Sequence, residues 1–191
     1  MALFRRRNRT EVSVDGPARL PASMAVATQR GESVLAAAQD DLTHAWVALT
    51  THRMVILTSA GGLLLERPWH EVDTGAWSPD AATLSVSFVG GTTALQWRLK
   101  TSTGPGRIPQ VFRERVSASV VQVREVKMGS RRSARVSVRA VLSNGELIDQ
   151  VVFGRGVRAG DSELNAEVER VRQEVRAAVG LPPYDTAEAT R

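Results

Sequence analysis

The chain contains no cysteine, which excludes a disulfide framework and any thiolate metal site. Aromatic side chains make up only 5% of the 191 residues, four of them tryptophan. Lysine is almost missing too: of 25 basic residues, only Lys100 and Lys127 are lysines. Arginine suits phosphate and carboxylate forks, but a GC-rich genome with abundant Ala and Val produces the same bias, and that is the simpler account. No apolar run approaches the roughly 20 residues that cross a bilayer as a helix. There is no Gly-x-Ser-x-Gly elbow and no Gly-Lys-Ser/Thr phosphate loop, and no Ser–His–Asp set is assignable, so nothing indicates nucleophilic catalysis. Only His44, His52 and His70 are present. Although Glu71 and Asp73 follow the last of them, the spacing is not that of a helical zinc site. No catalytic residue, metal or cofactor is expected.

The remaining composition is that of a globular protein, 42% apolar, long enough for one domain or one and a half and able to bury roughly 70% of its unfolded surface. The net charge of +5 is unevenly spread. Arg5, Arg6, Arg7 and Arg9 supply four of those charges, so residues 10–191 are close to neutral. Residues 40–80 hold six acids against Arg53 and Arg67, whereas residues 107–139 hold nine bases against Glu114 and Glu125. Met1-Ala2-Leu3-Phe4 precede the arginines, the reverse of a secretory signal. A cytoplasmic protein is expected, able to sit peripherally at the inner face of the membrane.

Turn residues divide the chain into short strands. Residues 1–22 are expected to be a flexible basic arm, followed by a short helix over Ser23–Arg30. Seven strands then follow: Val34–Ala38, Trp46–Thr50, Arg53–Thr58, Leu63–Glu66, Val72–Trp77, Thr83–Phe88 and Ala94–Leu99. Gly61-Gly62, Ser78-Pro79-Asp80 and Gly90-Gly91 mark turns between them. Seven strands at this spacing predict an antiparallel barrel or sandwich. After the linker Thr101–Arg107, Pro109 can open a helix on which Val111/Phe112, Val116 and Val120 recur at helical spacing. Ser119–Met128 reads as a strand. Ala134–Leu142 and Glu146–Phe153 form a hairpin about Ser143-Asn144-Gly145, with Val136, Val138 and Ala140 on one face and Arg135, Ser137 and Arg139 on the other. A final helix is capped by Asp161 or Ser162, carries an apolar stripe of Leu164, Val168, Val171 and Val175, and ends at Gly180. Residues 181–191 are expected to be a disordered tail.

Two basic features are the candidate anion- or partner-binding sites. Arg131, Arg132, Arg135 and Arg139 make a stripe suited to phosphates or an acidic partner, although a charged, solvated strand face is the plainer reading. The region 113–139 contains no aromatic residue on which bases could stack, which weakens a nucleic-acid role. Arg5, Arg6 and Arg7 next to Leu3-Phe4 suit an anionic membrane surface, but stable anchoring normally takes a second signal. The loop Gly154–Gly160 precedes a helix N-terminus, where anions can be held. No parallel strand follows that helix, so a connector is the simpler reading.

Residues 32–99 resemble the bacterial pleckstrin-homology-like (PH-like) domains. The resemblance rests on Gly31-Glu32-x-Val34-Leu35, on Val47 to Leu57 (VALTTHRMVIL), and on Arg67-Pro68-Trp69-His70-Glu71-Val72. It covers about a third of the chain, and more if residues 108–121 are the capping helix. It implies a mainly β (α+β) fold: a PH-like curved antiparallel barrel or sandwich over residues 23–121, with residues 122–180 appended as a β-hairpin region and a C-terminal amphipathic helix. It also implies a non-enzymatic binding or scaffold protein that takes a protein partner or an anionic membrane surface. Phosphoinositide-binding relatives carry basic residues in the first loop, whereas Gln39–His44 is acidic, so that ligand is not carried over. Nucleic-acid binding through residues 131–139, a small-ligand or enzymatic pocket near Trp69, His70 and Trp77, and homo-oligomerisation remain open.

Overall fold

In the computed structural model, residues 20–21, 24–91, 93–129, 131–158 and 160–184 are described. The fold is mainly β: three antiparallel sheets and two helices. Strands β1 (Val34–Gln39), β2 (Trp46–Thr50), β3 (Arg53–Leu57) and β4 (Leu63–Pro68) form the first sheet in chain order. After a 3₁₀ turn at Trp69–Glu71, β5 (Val72–Ser78), β6 (Thr83–Phe88) and β7 (Leu95–Arg98) form the second. Helix α1 (Ile108–Ser119) leads into β8 (Val120–Lys127), β9 (Ser133–Ala140) and β10 (Leu147–Phe153), the third sheet, and helix α2 (Ser162–Ala178) follows.

The first two sheets pack face to face and do not close into a barrel. β4 and β5 are consecutive but belong to different sheets. Ala36, Ala38, Val47, Leu49, Met54 and Ile56 from the first sheet meet Trp69, Val72, Leu84, Val86 and Trp97 from the second side of the core, with Ile108, Val111 and Phe112 of α1 closing it. The opposite face of the first sheet is also apolar: Ala37, Trp46, Ala48, Val55 and Leu57 are buried there beneath Leu20, Met24 and Val26. This corrects the expected helix at Ser23–Arg30, since residues 24–29 are irregular. Covering an apolar sheet face with an irregular segment outweighs a short helix, whose nucleation is costly.

A second core lies in the third sheet. Val126, Ala134, Val136 and Val138 pack under Leu164, Val168, Val171 and Val175 of α2, the burial of each valine or leucine contributing about 1.5–3 kcal/mol. Asp161 caps α2 by accepting the Leu164 N–H at 3.1 Å. The hairpin turn is wider than the expected tight turn: the Gly145 N–H donates to the Val141 carbonyl, and of Asn144 and Gly145 only the glycine has positive φ, at 77°. The expected disordered tail is corrected over residues 181–184, and residues 185–191 lie outside the described residues. Leu181 packs against the second core, and Tyr184 exchanges two hydrogen bonds with Gln173, each 3.1 Å, while its ring lies under the Arg172 guanidinium.

A buried ion pair ties the approach to β1 to the β2–β3 hairpin. Arg53 donates to both Glu32 oxygens, Nε to Oε1 at 2.9 Å and Nη2 to Oε2 at 3.0 Å, and Thr50 Oγ1 donates to Oε1 at 2.6 Å. Burial raises the Glu32 pKa, but these hydrogen bonds outweigh it and hold the carboxyl below its ordinary 4.5. Because the folded value is depressed, this stabilisation is complete above about pH 4.5 and is lost as the pH falls through the depressed value. The Glu32→Gln variant is expected to lose about 3 kcal/mol of stability at neutral pH. It should also show a shallower decline in acid, as read by urea unfolding at a series of pH values. A decline as steep as that of the unaltered chain rules this role out.

Candidate functional site

The arginines of the basic hairpin are not brought together as one exposed stripe. Arg131 alone among the four is exposed. Arg132 donates to both Asp161 oxygens, at 2.8 and 2.7 Å, and to Glu163 at 2.8 Å. Arg135 pairs with Asp73 of β5. Arg139 is only 5% exposed. Its Nη2 lies 3.0 Å from the Trp69 carbonyl, 3.1 Å from the Val72 carbonyl and 2.7 Å from Ser119 Oγ, and it donates to these acceptors. Burial lowers the Arg139 pKa and the like charge of Arg135 lowers it further, yet an arginine keeps its proton in a protein. Period-two alternation does place Arg135, Ser137 and Arg139 on one face, but that face lies against the 3₁₀ turn, β5 and the end of α1. These arginines join the third sheet to the rest of the protein. Arg5, Arg6 and Arg7 lie outside the described residues.

The acidic loop after β1 is likewise committed internally. Asp40 accepts the backbone N–H of Thr43 at 2.8 Å and of Arg98 at 2.7 Å. Asp41 accepts those of Lys100, Thr101 and Ser102 at 3.0, 2.9 and 2.9 Å. Burial opposes ionisation of Asp41, but the amide donors hold its carboxyl far below the usual range. In the Gly154–Gly160 loop the anion position at the start of α2 is filled by the chain's own Asp161.

Trp69, His70 and Trp77 do not share a pocket. Trp69 is fully buried and its indole N–H donates to the Thr50 carbonyl at 2.9 Å. His70 lies at the junction near Arg139, where burial lowers its pKa, with Glu71 and Glu146 opposing and Arg139 reinforcing the shift. Among the described residues no group of three or more His, Asp or Glu side chains is placed to hold a metal ion.

Trp77 instead lines a groove of about 530 Å³ between β5 and α1. Gly75 and Trp77 form one wall, and Pro109, Gln110, Phe112, Arg113, Val116 and Ser117 the other. Gly75 is required there for space: a Cβ would stand 2.2 Å from the Phe112 ring. β5 is the outermost strand of its sheet. Apart from β6, no backbone partner pairs with residues 74–78 among the described residues. Arg113 is the one ionisable side chain in the lining, and it makes no ion pair among the described residues. Neither Gly75 nor the α1 side of the groove was apparent as a site from sequence. The available signal was a glycine in the middle of a strand, which marks a close approach.

No protein-family model matches the chain. No curated protein matches it either.

The Arg139→Ala variant is expected to lose about 3 kcal/mol, because it removes the guanidinium's hydrogen bonds to two carbonyls and a hydroxyl at the buried junction and opens a void. Arg131→Ala should stay within about 0.5 kcal/mol of the unaltered chain. Urea unfolding of the two variants checks this, and equal losses would contradict the assignment of Arg139 to the junction.

Proposed function

We propose that this is a non-enzymatic PH-like binding module that takes an extended segment of a protein partner along the outer edge of β5. What carries the reading is the open strand edge beside the apolar groove of Trp77, Phe112 and Val116. An unpaired edge offers main-chain hydrogen bonds to a strand-like segment, and alternate side chains of that segment can enter an adjoining groove. The arrangement of four strands, three strands and a helix supports the PH-like reading. With Arg113 at the rim and no acid in the lining, the segment favoured is apolar with a carboxylate nearby. A membrane surface is less favoured, because Arg132, Arg135 and Arg139 are already engaged.

Trp46, Trp69 and Trp97 are buried and Trp77 is partly exposed, so fluorescence can read the groove directly. Peptides selected from a random displayed library on the full chain are expected to be apolar and acidic, to shift tryptophan emission to the blue, and to lose the shift in Trp77→Phe. Val116→Arg should weaken them at least tenfold, roughly the 1.4 kcal/mol that a lost apolar contact represents. Selected peptides that bind Val116→Arg unchanged would refute the groove. Flotation with phosphatidylglycerol vesicles that is unaffected by Val116→Arg would favour the membrane instead. Separately, Gly75→Ala is expected to displace Phe112 and reduce peptide affinity while leaving the far-ultraviolet circular dichroism intact.

A further inference from the structure

The hydrogen-bond alternation of the second sheet fixes which main-chain groups β5 turns outward. In an antiparallel ladder, facing residues alternate between pairs that exchange hydrogen bonds and pairs whose N–H and C=O groups point away from each other. The Leu99 N–H donates to the Ala82 carbonyl at 2.7 Å, just outside the Thr83–Arg98 pair. Thr83 and Arg98 are therefore a pair of the second kind, and Thr83 turns its groups toward Ser78 of β5. Along the register, Ala76 likewise bonds to β6 through Ser85, whereas Gly75 and Trp77 face Val86 and Leu84 and turn their groups outward. The far end of the strand agrees. There the Val89 N–H donates to the Glu71 carbonyl at 2.8 Å, which makes Val72–Phe88 a pair of the second kind. The outward Val72 carbonyl is the one that accepts from Arg139, at 3.1 Å.

The outer edge of β5 is thus divided. Its first outward carbonyl belongs to β9, and Asp73 beside it pairs with Arg135. The next outward residues, Gly75 and Trp77, receive no main-chain hydrogen bond from outside the sheet among the described residues. The strand ends at Ser78, before Pro79. Residues two apart on a strand share a face, and for Gly75 and Trp77 it is the face on which the Phe112 ring covers Gly75. We infer that the ligand of this groove is a short strand paired antiparallel with Gly75 and Trp77, carrying apolar side chains two positions apart. This rests on the β5 edge being the docking site. The two ligand residues that bond to Gly75 and Trp77 also turn their side chains toward α1. One meets the Phe112 ring, because Gly75 has no side chain to hold it off, and the other meets the Trp77 indole. The residue between them faces away and is free to vary. Neither anchor can be proline, which has no N–H to donate. Antiparallel is the favoured direction, being the more stable per residue, and the third sheet stops the ligand from following β5 back to Val72. A carboxylate beside the anchors meets Arg113 at the rim.

Amide hydrogen exchange of the full chain and an N-methyl scan of a library-selected peptide test the register. In the free chain the Gly75 and Trp77 amides are expected to be less protected than those of Ala76 and Ser78, which bond within the ladder. A peptide whose emission shift is lost in Trp77→Phe should slow exchange at Gly75 and Trp77 at least about tenfold and leave Ala76 unchanged. N-methylation at either of two peptide positions two apart should weaken binding at least about tenfold, with little effect at the position between them. Alanine at the same two positions should weaken binding as well. In a parallel strand the alanine-sensitive positions would instead be the neighbours of the N-methyl-sensitive ones, which would overturn the antiparallel register. A peptide that Val116→Arg abolishes but that leaves exchange at Gly75 and Trp77 unchanged docks by side chains alone. The strand pairing then fails while the groove stands. Protection of Gly75 and Trp77 in the free chain would mean that the edge is already closed, and peptides indifferent to Val116→Arg would remove groove and register together.

Discussion

A buried cation that pairs with no carboxylate among the described residues holds the two halves of this protein together. Arg139, on β9, reaches the carbonyls of Trp69, which opens the 3₁₀ turn, and of Val72, which begins β5, together with the hydroxyl of Ser119 at the end of α1. Removing a guanidinium from water costs several kcal/mol, and here peptide dipoles offset part of that cost. Three segments must therefore be correctly placed at once. The position of β5, and with it the groove against α1, depends on this junction as much as on the apolar core.

The same inward use of charge recurs across the fold. Glu32 and Arg53 are fixed near β1, Arg132 holds the cap of α2, and Asp149 is nearly enclosed between Arg172 and Arg176. An overall charge of +5 is therefore a poor guide to the surface, since many of the arginines that contribute to it are satisfied within the molecule. Exposed arginines such as Arg113 and Arg131 carry more information about partners than the count does.

Much of the local structure was legible in the sequence. Alternating apolar residues and punctuating glycines placed all seven early strands within about two residues, and Asp161 and Gly180 marked the limits of α2. Alternation also placed Arg135, Ser137 and Arg139 together. It could not say whether that face is wet, because the answer lies in elements 62 to 70 positions away along the chain. The segment around Met24 failed for a related reason: a few apolar residues read equally well as a helix or as a cover for a distant sheet face. Nothing local to residues 181–184 signalled the docking of Tyr184, because its partner Gln173 lies 11 positions back on α2. Of the candidate groove, Trp77 was visible as an aromatic residue, whereas the need for Gly75 emerges only when Phe112 is placed over it.

The aspartate clamp after β1 bears on the order in which this chain folds. Asp40 and Asp41 bind amides 58 to 61 residues further along. That contact closes a long loop, and loop closure carries an entropic cost that grows slowly with length. The hairpins and helices draw on neighbouring residues, whereas the clamp needs the two ends of that loop to be together. If it forms after the transition state, it holds the native state closed without hastening its arrival. Removing either aspartate should therefore be felt on the unfolding limb of a chevron, leaving the refolding limb nearly in place.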